Sequence, residues 1–309
     1  MSTRTKEHLL HASSMLRKGF SQCYLVVILL FGWHVRNGEA LSSPPPSSRR
    51  RDMLVKAPLG TVFAYAYGRA FYNTLQNIGI KHPEEHESRV KSTIATALSA
   101  AAPPTGGTMR VLEVGIGTDC RILRRGLYQD GLQSLKNKGI DEVELLGIDL
   151  RPPDDKTLQL ARRKLQDNNT PVPVHLRVME KSITKRLPFA DGYFDAVLCC
   201  LTLCSVDDPV AAVREMHRLL RPDGGALGFV EHVAVNPDET EYAFLEQQQV
   251  FLDPWQQRLA DNCHLHRYTE QTLLDNLPQA SLLQEERFLV NAMWPVSMQA
   301  CGVFQRTIH

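Results

Sequence analysis

Charge imbalance, paired cysteines and long apolar runs are all scarce in this sequence. Lysine plus arginine (35) nearly cancels aspartate plus glutamate (34), leaving a net charge of +1 over 309 residues. A polyanionic partner needs a basic surface. The one dense basic run is Arg49-Arg50-Arg51, so nucleic acid is disfavoured as a substrate. Among seven cysteines (Cys23, Cys120, Cys199, Cys200, Cys204, Cys263 and Cys301) there is no CxxC pair. A zinc ribbon or thioredoxin-like site therefore has no support. An odd, irregular set reads as free thiols in an apolar interior. The apolar run at 23–33 has about half of the ~20 residues that a spanning helix needs.

What is present divides the chain at about residue 57. Residues 1–22 carry Arg4, Lys6, Arg17 and Lys18 against Glu7. The apolar run follows, then Gly38-Glu-Ala40 and a Pro/Ser/Arg-rich stretch at 41–51. Basic region, short apolar core and small residues at a cleavage point are the layout of a secretory signal. A membrane anchor through residues 20–35 is the second reading, if flanking residues let the run tilt or snorkel. A plastid transit sequence after the cut is a third. Segment 1–56 is accordingly set apart as a targeting or anchor segment with a linker. The folded domain is expected over 57–309: helices at 57–100, a core at 109–235, and an acceptor-side cap with closing strands at 236–309.

Within 59–100, Phe63, Tyr67, Phe71, Leu75 and Ile78, then Val90, Ile94 and Leu98, recur at helical spacing. Pro83 separates the two predicted helices. From Met109 the pattern alternates. Strands are expected at 110–114, 143–148, 172–178, 194–198 and 226–230, with closing strands at 282–289 and 301–306. Helices are expected at 118–127, 157–165 and 209–220. Strand–helix alternation implies an α/β, doubly wound, mainly parallel sheet that takes ligands at the strands' carboxyl ends.

The first strand runs into Val111-Leu-Glu-Val-Gly-Ile-Gly-Thr118. Glycine there allows a tight turn and close approach of the backbone to a ligand. Asp149, ending the second strand, can accept hydrogen bonds from ribose hydroxyls. These residues alone leave a dinucleotide and an adenosylmethionine site both open. The two acids are 36 residues apart (149 − 113), against about 20 expected of such a unit. An insertion around 130–142 is therefore expected to lengthen the first crossover on the surface.

Three further pieces discriminate: Glu113 ahead of the first glycine, Leu187-Pro-Phe-Ala-Asp-Gly-Tyr-Phe-Asp195, and Leu219-Leu-Arg-Pro-Asp-Gly-Gly225. In that order they resemble class I, S-adenosylmethionine-dependent methyltransferases of the type 11-like group. The residues from Phe194 to Val206, Phe229-Val-Glu-His-Val-Ala234, Phe251-Leu-Asp-Pro-Trp255 and Asp261-Asn-Cys-His-Leu-His-Arg267 narrow the likeness. They are similar to membrane-associated methyltransferase-like proteins that S-methylate alkyl thiols. The resemblance implies a Rossmann-like sheet of seven strands and S-adenosylmethionine as cofactor. It also implies a small-molecule acceptor and an amino-terminal anchor for the endoplasmic reticulum or another endomembrane. It places Glu113, Gly115 and Gly117 along the methionine and ribose side, with Asp149 on the ribose. Ser182, Ile183 and Thr184 would flank the adenine, and Cys200 and Leu201 the methionine portion. Asp119 stands where relatives have a third glycine and is expected to take a left-handed conformation there. Ile183 stands where an acid often meets the adenine amino group.

His232, just past the fifth strand, is the first candidate to orient or deprotonate the acceptor; a cap on local backbone groups is the other reading. Asp253 and Trp255 are candidates for the acceptor wall, with a structural turn at Asp253-Pro254 equally open. Cys204 reads as filling apolar space. Cys263-His-Leu-His266 offers two imidazoles but no further ligand nearby in sequence, so no metal is expected, and a loop closing over the acceptor fits better.

Overall fold

The computed structural model describes residues 82–103, 107–166, 170–277 and 280–307. The expected targeting segment and the helix expected before Pro83 lie outside the described residues. Among the described residues, no helix is long and apolar enough to cross a membrane.

Seven strands form one sheet: β1 (Gly107–Val114), β2 (Ile140–Asp149), β3 (Val174–Glu180), β4 (Ala196–Cys200), β5 (Ala226–His232), β6 (Ala280–Leu289) and β7 (Met298–Arg306). Their order is β3-β2-β1-β4-β5-β7-β6. The first five pair in parallel, while β7 runs antiparallel between β5 and β6. Helices α1 (Glu84–Ala101), α2 (Arg121–Arg124), α3 (Gln129–Asn137), α4 (Asp155–Leu165), α5 (Pro209–Leu219), α6 (Ala243–Leu259) and α7 (Thr269–Asn276) complete the layers. This is the Rossmann-like, seven-stranded architecture expected.

Strand periodicity sorts the core into two faces. Val111, Leu145, Ala196 and Leu198 pack on one side with Val90, Ile94 and Leu98 of α1. Leu112, Leu146, Val197 and Cys199 pack on the other with Ala212, Val213 and Met216 of α5. Each large aliphatic side chain buried this way contributes about 1.5–3 kcal/mol. Glu84, Glu85 and Glu87 sit in the first turn of α1, where they complement the helix dipole. Asp154 and Asp208 cap α4 and α5 by accepting from the Thr157 and Ala211 amides.

The two discriminating motifs meet at the strands' amino ends. Asp195 accepts from the Arg110 amide at 2.8 Å, and its other oxygen faces Arg221 Nε at 3.1 Å. One carboxylate thus fastens the entrance of β4 to β1 and to the turn before β5.

Three local expectations need correction. The helix expected at 118–127 is only Arg121–Arg124, since Gly126 breaks it with φ +68°. The insertion is not a surface loop: α3 buries Leu132 and Leu135, and Gly131 lies against Leu98 and Ile94 of α1. Asp253-Pro254 makes no turn but lies inside α6.

Candidate cofactor and acceptor site

Strand order reverses direction between β1 and β4, and ligands of open α/β sheets bind at the carboxyl ends beside such a switch. The glycine turn leaves β1 there. Gly115 and Gly117 both have φ +74°. The Gly115 and Ile116 amides donate to Ile148 O at 2.8 and 3.2 Å, which seats the turn on β2. The Gly117 amide donates to Asp149 Oδ2 at 2.9 Å, and Asp149 Oδ1 accepts from the Arg151 amide at 2.9 Å. The structure thus joins Gly117 and Asp149, 32 residues apart. Each carboxylate oxygen keeps acceptor capacity beyond these bonds.

Glu113 is 2% exposed. The Tyr128 hydroxyl donates to its Oε2 at 2.7 Å, while Oε1 has no partner. Burial pushes the carboxyl up to about 7 against the Tyr128 hydrogen bond. A buried acid with one unsatisfied oxygen suits a cationic donor such as the ammonium of an amino-acid ligand. Tyr128 was not singled out from the sequence, because nothing local links it to Glu113.

A pH consequence follows from Glu113. Its folded carboxyl holds a proton that the unfolded chain releases near the ordinary value of 4.5. The folded state therefore binds more protons than the unfolded one between about 4.5 and 7, and stability falls as pH rises through that window. Glu113→Gln, with no charge to bury, is expected to flatten this pH dependence and to raise the melting temperature at pH 8. Melting curves across pH check this; a variant no more stable than wild type at pH 8 contradicts the assignment.

The third position of the turn departs from expectation. Cys120, not Asp119, adopts the left-handed conformation, at φ 46° and ψ 42°. Asp119 instead takes two bonds from Arg121, at 2.9 and 2.6 Å. Arg121 also touches His82, and Arg125 pairs with Glu87 of α1 at 3.0 Å. Asp119 thus ends the turn as half of an ion pair tied to the segment around α1, in place of a glycine.

On the expected adenine side, Ser182 Oγ and Thr184 Oγ1 share a bond of 2.8 Å. The Lys181 amide donates to Asp149 O at 3.0 Å, placing this loop beside the end of β2. Ile183 is 4% exposed and packs in the apolar cluster that holds Leu112, Val114 and Ile148. Its side chain is therefore core, and contact with adenine would fall to Ser182, Thr184 and the backbone.

Cys200 and Leu201 leave β4 next to the glycine turn. Leu201 has φ 50°, a conformation that costs a residue with a Cβ about 1–2 kcal/mol. Glu231, 0% exposed, holds it there. Glu231 Oε1 accepts from the Thr202 and Leu203 amides at 2.9 and 3.0 Å and from Cys199 Sγ at 3.2 Å. Burial raises this carboxyl, while the two amides pull it back. Glu231 is the main positioning residue that sequence reasoning missed. The available signal was an acid next to the carboxyl end of an otherwise apolar strand, just before His232.

His232 and Asp253, expected to act on the acceptor, are committed elsewhere. His232 is 2% exposed, with Nε2 on Cys263 Sγ at 2.9 Å. Burial works against its charge, and Cys263 and Glu231 together outweigh that. A hydrogen bond from Cys204 holds the Cys263 thiol well below the usual range. Asp253 Oδ1 accepts from the Leu265 and His266 amides at 2.6 and 3.3 Å, and Oδ2 from Gln257 at 2.7 Å. It is a fastener for the loop after α6, not a free base. Among the described residues, Cys204, His232 and Cys263 come together with ligand atoms within 4.8 Å of one another, a set that includes neither His264 nor His266.

Comparison with known proteins agrees with this geometry. Residues 130–227 match the methyltransferase domain family. Thiol S-methyltransferase TMT1B of Homo sapiens is 44% identical over 114 residues, covering 37% of this chain and 44% of that protein. Thiol S-methyltransferase TMT1A of Homo sapiens is 47% identical over 78 residues, covering 25% and 30%. Demethylmenaquinone methyltransferase of Beutenbergia cavernae is 39% identical over 105 residues, covering 32% and 42%. This chain thus spans less than half the length of the curated relatives it matches. A solved SAM-dependent methyltransferase from Methanosarcina mazei superposes with a TM-score of 0.41 at 16% identity, over 65% of this chain and 93% of that one. The sheet order, not this likeness, fixes the fold. The sheet order is that of the class I methyltransferase fold, and residues 130–227 are similar to the methyltransferase domain family.

Proposed function

We propose that this chain transfers a methyl group from S-adenosylmethionine to the sulfur of a small lipophilic thiol. The observation that carries the cofactor is the Gly117–Asp149 contact at the β1/β4 switch. The acceptor class rests on the two thiol S-methyltransferases matched at 44% and 47% identity.

The residues present fit the cofactor. Gly115 and Gly117 let the backbone come close, Asp149 offers acceptors for ribose hydroxyls, and Glu113 presents an unpartnered oxygen for the ammonium. Ser182 and Thr184 lie beside the end of β2, where adenine would sit, and Cys200 and Leu201 would wall the methionine portion. S-Adenosylmethionine supplies an electrophilic methyl group on a good sulfonium leaving group. The chain's own task is then orientation and exclusion of water, with the acceptor held in line at about 3–3.5 Å from the methyl. A thiol near its ordinary pKa of about 8.5 provides enough thiolate at neutral pH. No protein base is required, in keeping with the commitment of His232 to Cys263. Association with a membrane through residues 20–35 belongs to the same proposal, because it would bring lipophilic acceptors to the cleft.

A screen of the full chain with S-adenosylmethionine against alkyl thiols, phenols, amines and quinone precursors tests this reading. Thioether formation at least about tenfold faster than any other product is expected. Methylation of a quinone precursor with no thioether would favour the second reading, carried by the demethylmenaquinone methyltransferase match at 39% identity. It would overturn the thiol assignment.

A further inference from the structure

Three soft ligands from three separate elements converge beside the acceptor-side strand ends. Cys204 lies in the loop after β4, His232 ends β5, and Cys263 follows α6. Their ligand atoms lie within 4.8 Å of one another, and the residues are 2%, 2% and 8% exposed. Tetrahedral zinc with about 2.3 Å bonds to sulfur and about 2.0–2.1 Å to nitrogen separates its ligand atoms by about 3.5–3.8 Å. Closing this set on an ion requires only small shifts.

The surroundings hold both thiol loops in place. The His264 amide donates to Cys204 O at 2.9 Å, and Gln256 Nε2 donates to Cys263 Sγ at 3.3 Å. Arg267 donates to Leu203 O and Val206 O at 2.6 and 2.8 Å, and Asn262 to Ser205 O at 3.0 Å. Asp253 gathers the Leu265 and His266 amides from the far side. His232 turns Nε2 toward Cys263 Sγ at 2.9 Å, so the imidazole faces the two thiols with the nitrogen that would bind an ion.

We propose that Cys204, His232 and Cys263 form a zinc site with one coordination position left to a small non-protein ligand. Two thiolates, a neutral imidazole and a divalent cation sum to zero charge, the combination that a buried site accepts most readily. Two sulfurs and one imidazole select zinc over magnesium or calcium. The ion would clamp the segment after α6 onto the ends of β4 and β5. This inference does not depend on which acceptor is methylated.

The test is metal analysis of the full, reduced chain after exposure to zinc and removal of loosely held ion. Wild type is expected to retain about one zinc per chain. Cys204→Ser and Cys263→Ser are each expected to retain less than about a tenth of that. Cys301→Ser, which alters a buried thiol in β7, is expected to keep it all. Cobalt in place of zinc is expected to show thiolate-to-metal charge-transfer absorption that either cluster substitution removes. If those variants fail to fold, wild type alone decides, since saturating zinc must raise its melting temperature by about 5 °C or more. Wild type without zinc, cluster variants that keep it, equal loss in Cys301→Ser, or a Cys204–Cys263 disulfide with no zinc bound after reduction would each overturn the site.

Discussion

Gly115→Ala is expected to lower the melting temperature by about 5–15 °C and to abolish measurable cofactor binding. A Cβ at this position would lie 1.9 Å from Thr202 Oγ1, 2.7 Å from its Cγ2 and 2.8 Å from its Cβ. Thr202 cannot turn aside without loss: its hydroxyl lies 3.2 Å from Val114 O and 3.1 Å from Cys200 O, and its amide is held by Glu231. The alternative is to give up φ +74°, which unseats the turn from Ile148 O. Left-handed backbone costs a residue with a Cβ about 1–2 kcal/mol, and overpacking adds about 1–3 kcal/mol. Circular dichroism melting curves measure the first effect and calorimetry the second. Thr202→Ala in the same chain removes two of the three clashing atoms, so the double variant is expected to recover part of the lost stability. An unchanged melting temperature in Gly115→Ala would mean that β1 and β4 do not meet as described.

How much of this was legible beforehand depended on whether the cause was local. Strand positions were readable because the second halves of β1 and β2 and nearly all of β4 and β5 are buried and mostly apolar on both faces, as a parallel sheet between helices demands. Gly115, Gly117 and Asp149 were readable because backbone geometry restricts what can stand at a turn and at a strand end. Glu231 and Tyr128 were not, since their importance lies in partners 29 and 15 residues away. The cluster of Cys204, His232 and Cys263 was invisible for the same reason: it spans two loops and a strand end, while the local pattern pointed to His264 and His266 instead. The inserted crossover was visible as excess length. Only the apolar stripe of Leu132 and Leu135, read against α1, shows that it is a packed helix. Asp119 misled in a third way. The left-handed position had moved one residue on, to Cys120, and the aspartate had become the partner of Arg121.

Asp149→Ala is expected to weaken adenosylmethionine by at least tenfold while leaving the fold intact. The carboxylate is only partly buried, so its removal opens no core cavity. It does delete the acceptor of the Gly117 and Arg151 amides and the acceptors proposed for the ribose hydroxyls. Hydrogen bonds to a charged group contribute about 1.5–3 kcal/mol each, and about 1.4 kcal/mol already corresponds to tenfold. Asp149→Asn keeps one neutral acceptor toward Gly117 and is expected to fall between wild type and alanine. Calorimetric titration of these three proteins with S-adenosylmethionine, S-adenosylhomocysteine and NAD tests the central assignment most directly. The account predicts that wild type binds both adenosyl compounds, that Asp149→Ala loses at least tenfold on each, and that NAD gives no saturable heat. Tight binding of NAD with no response to either adenosyl compound would contradict it.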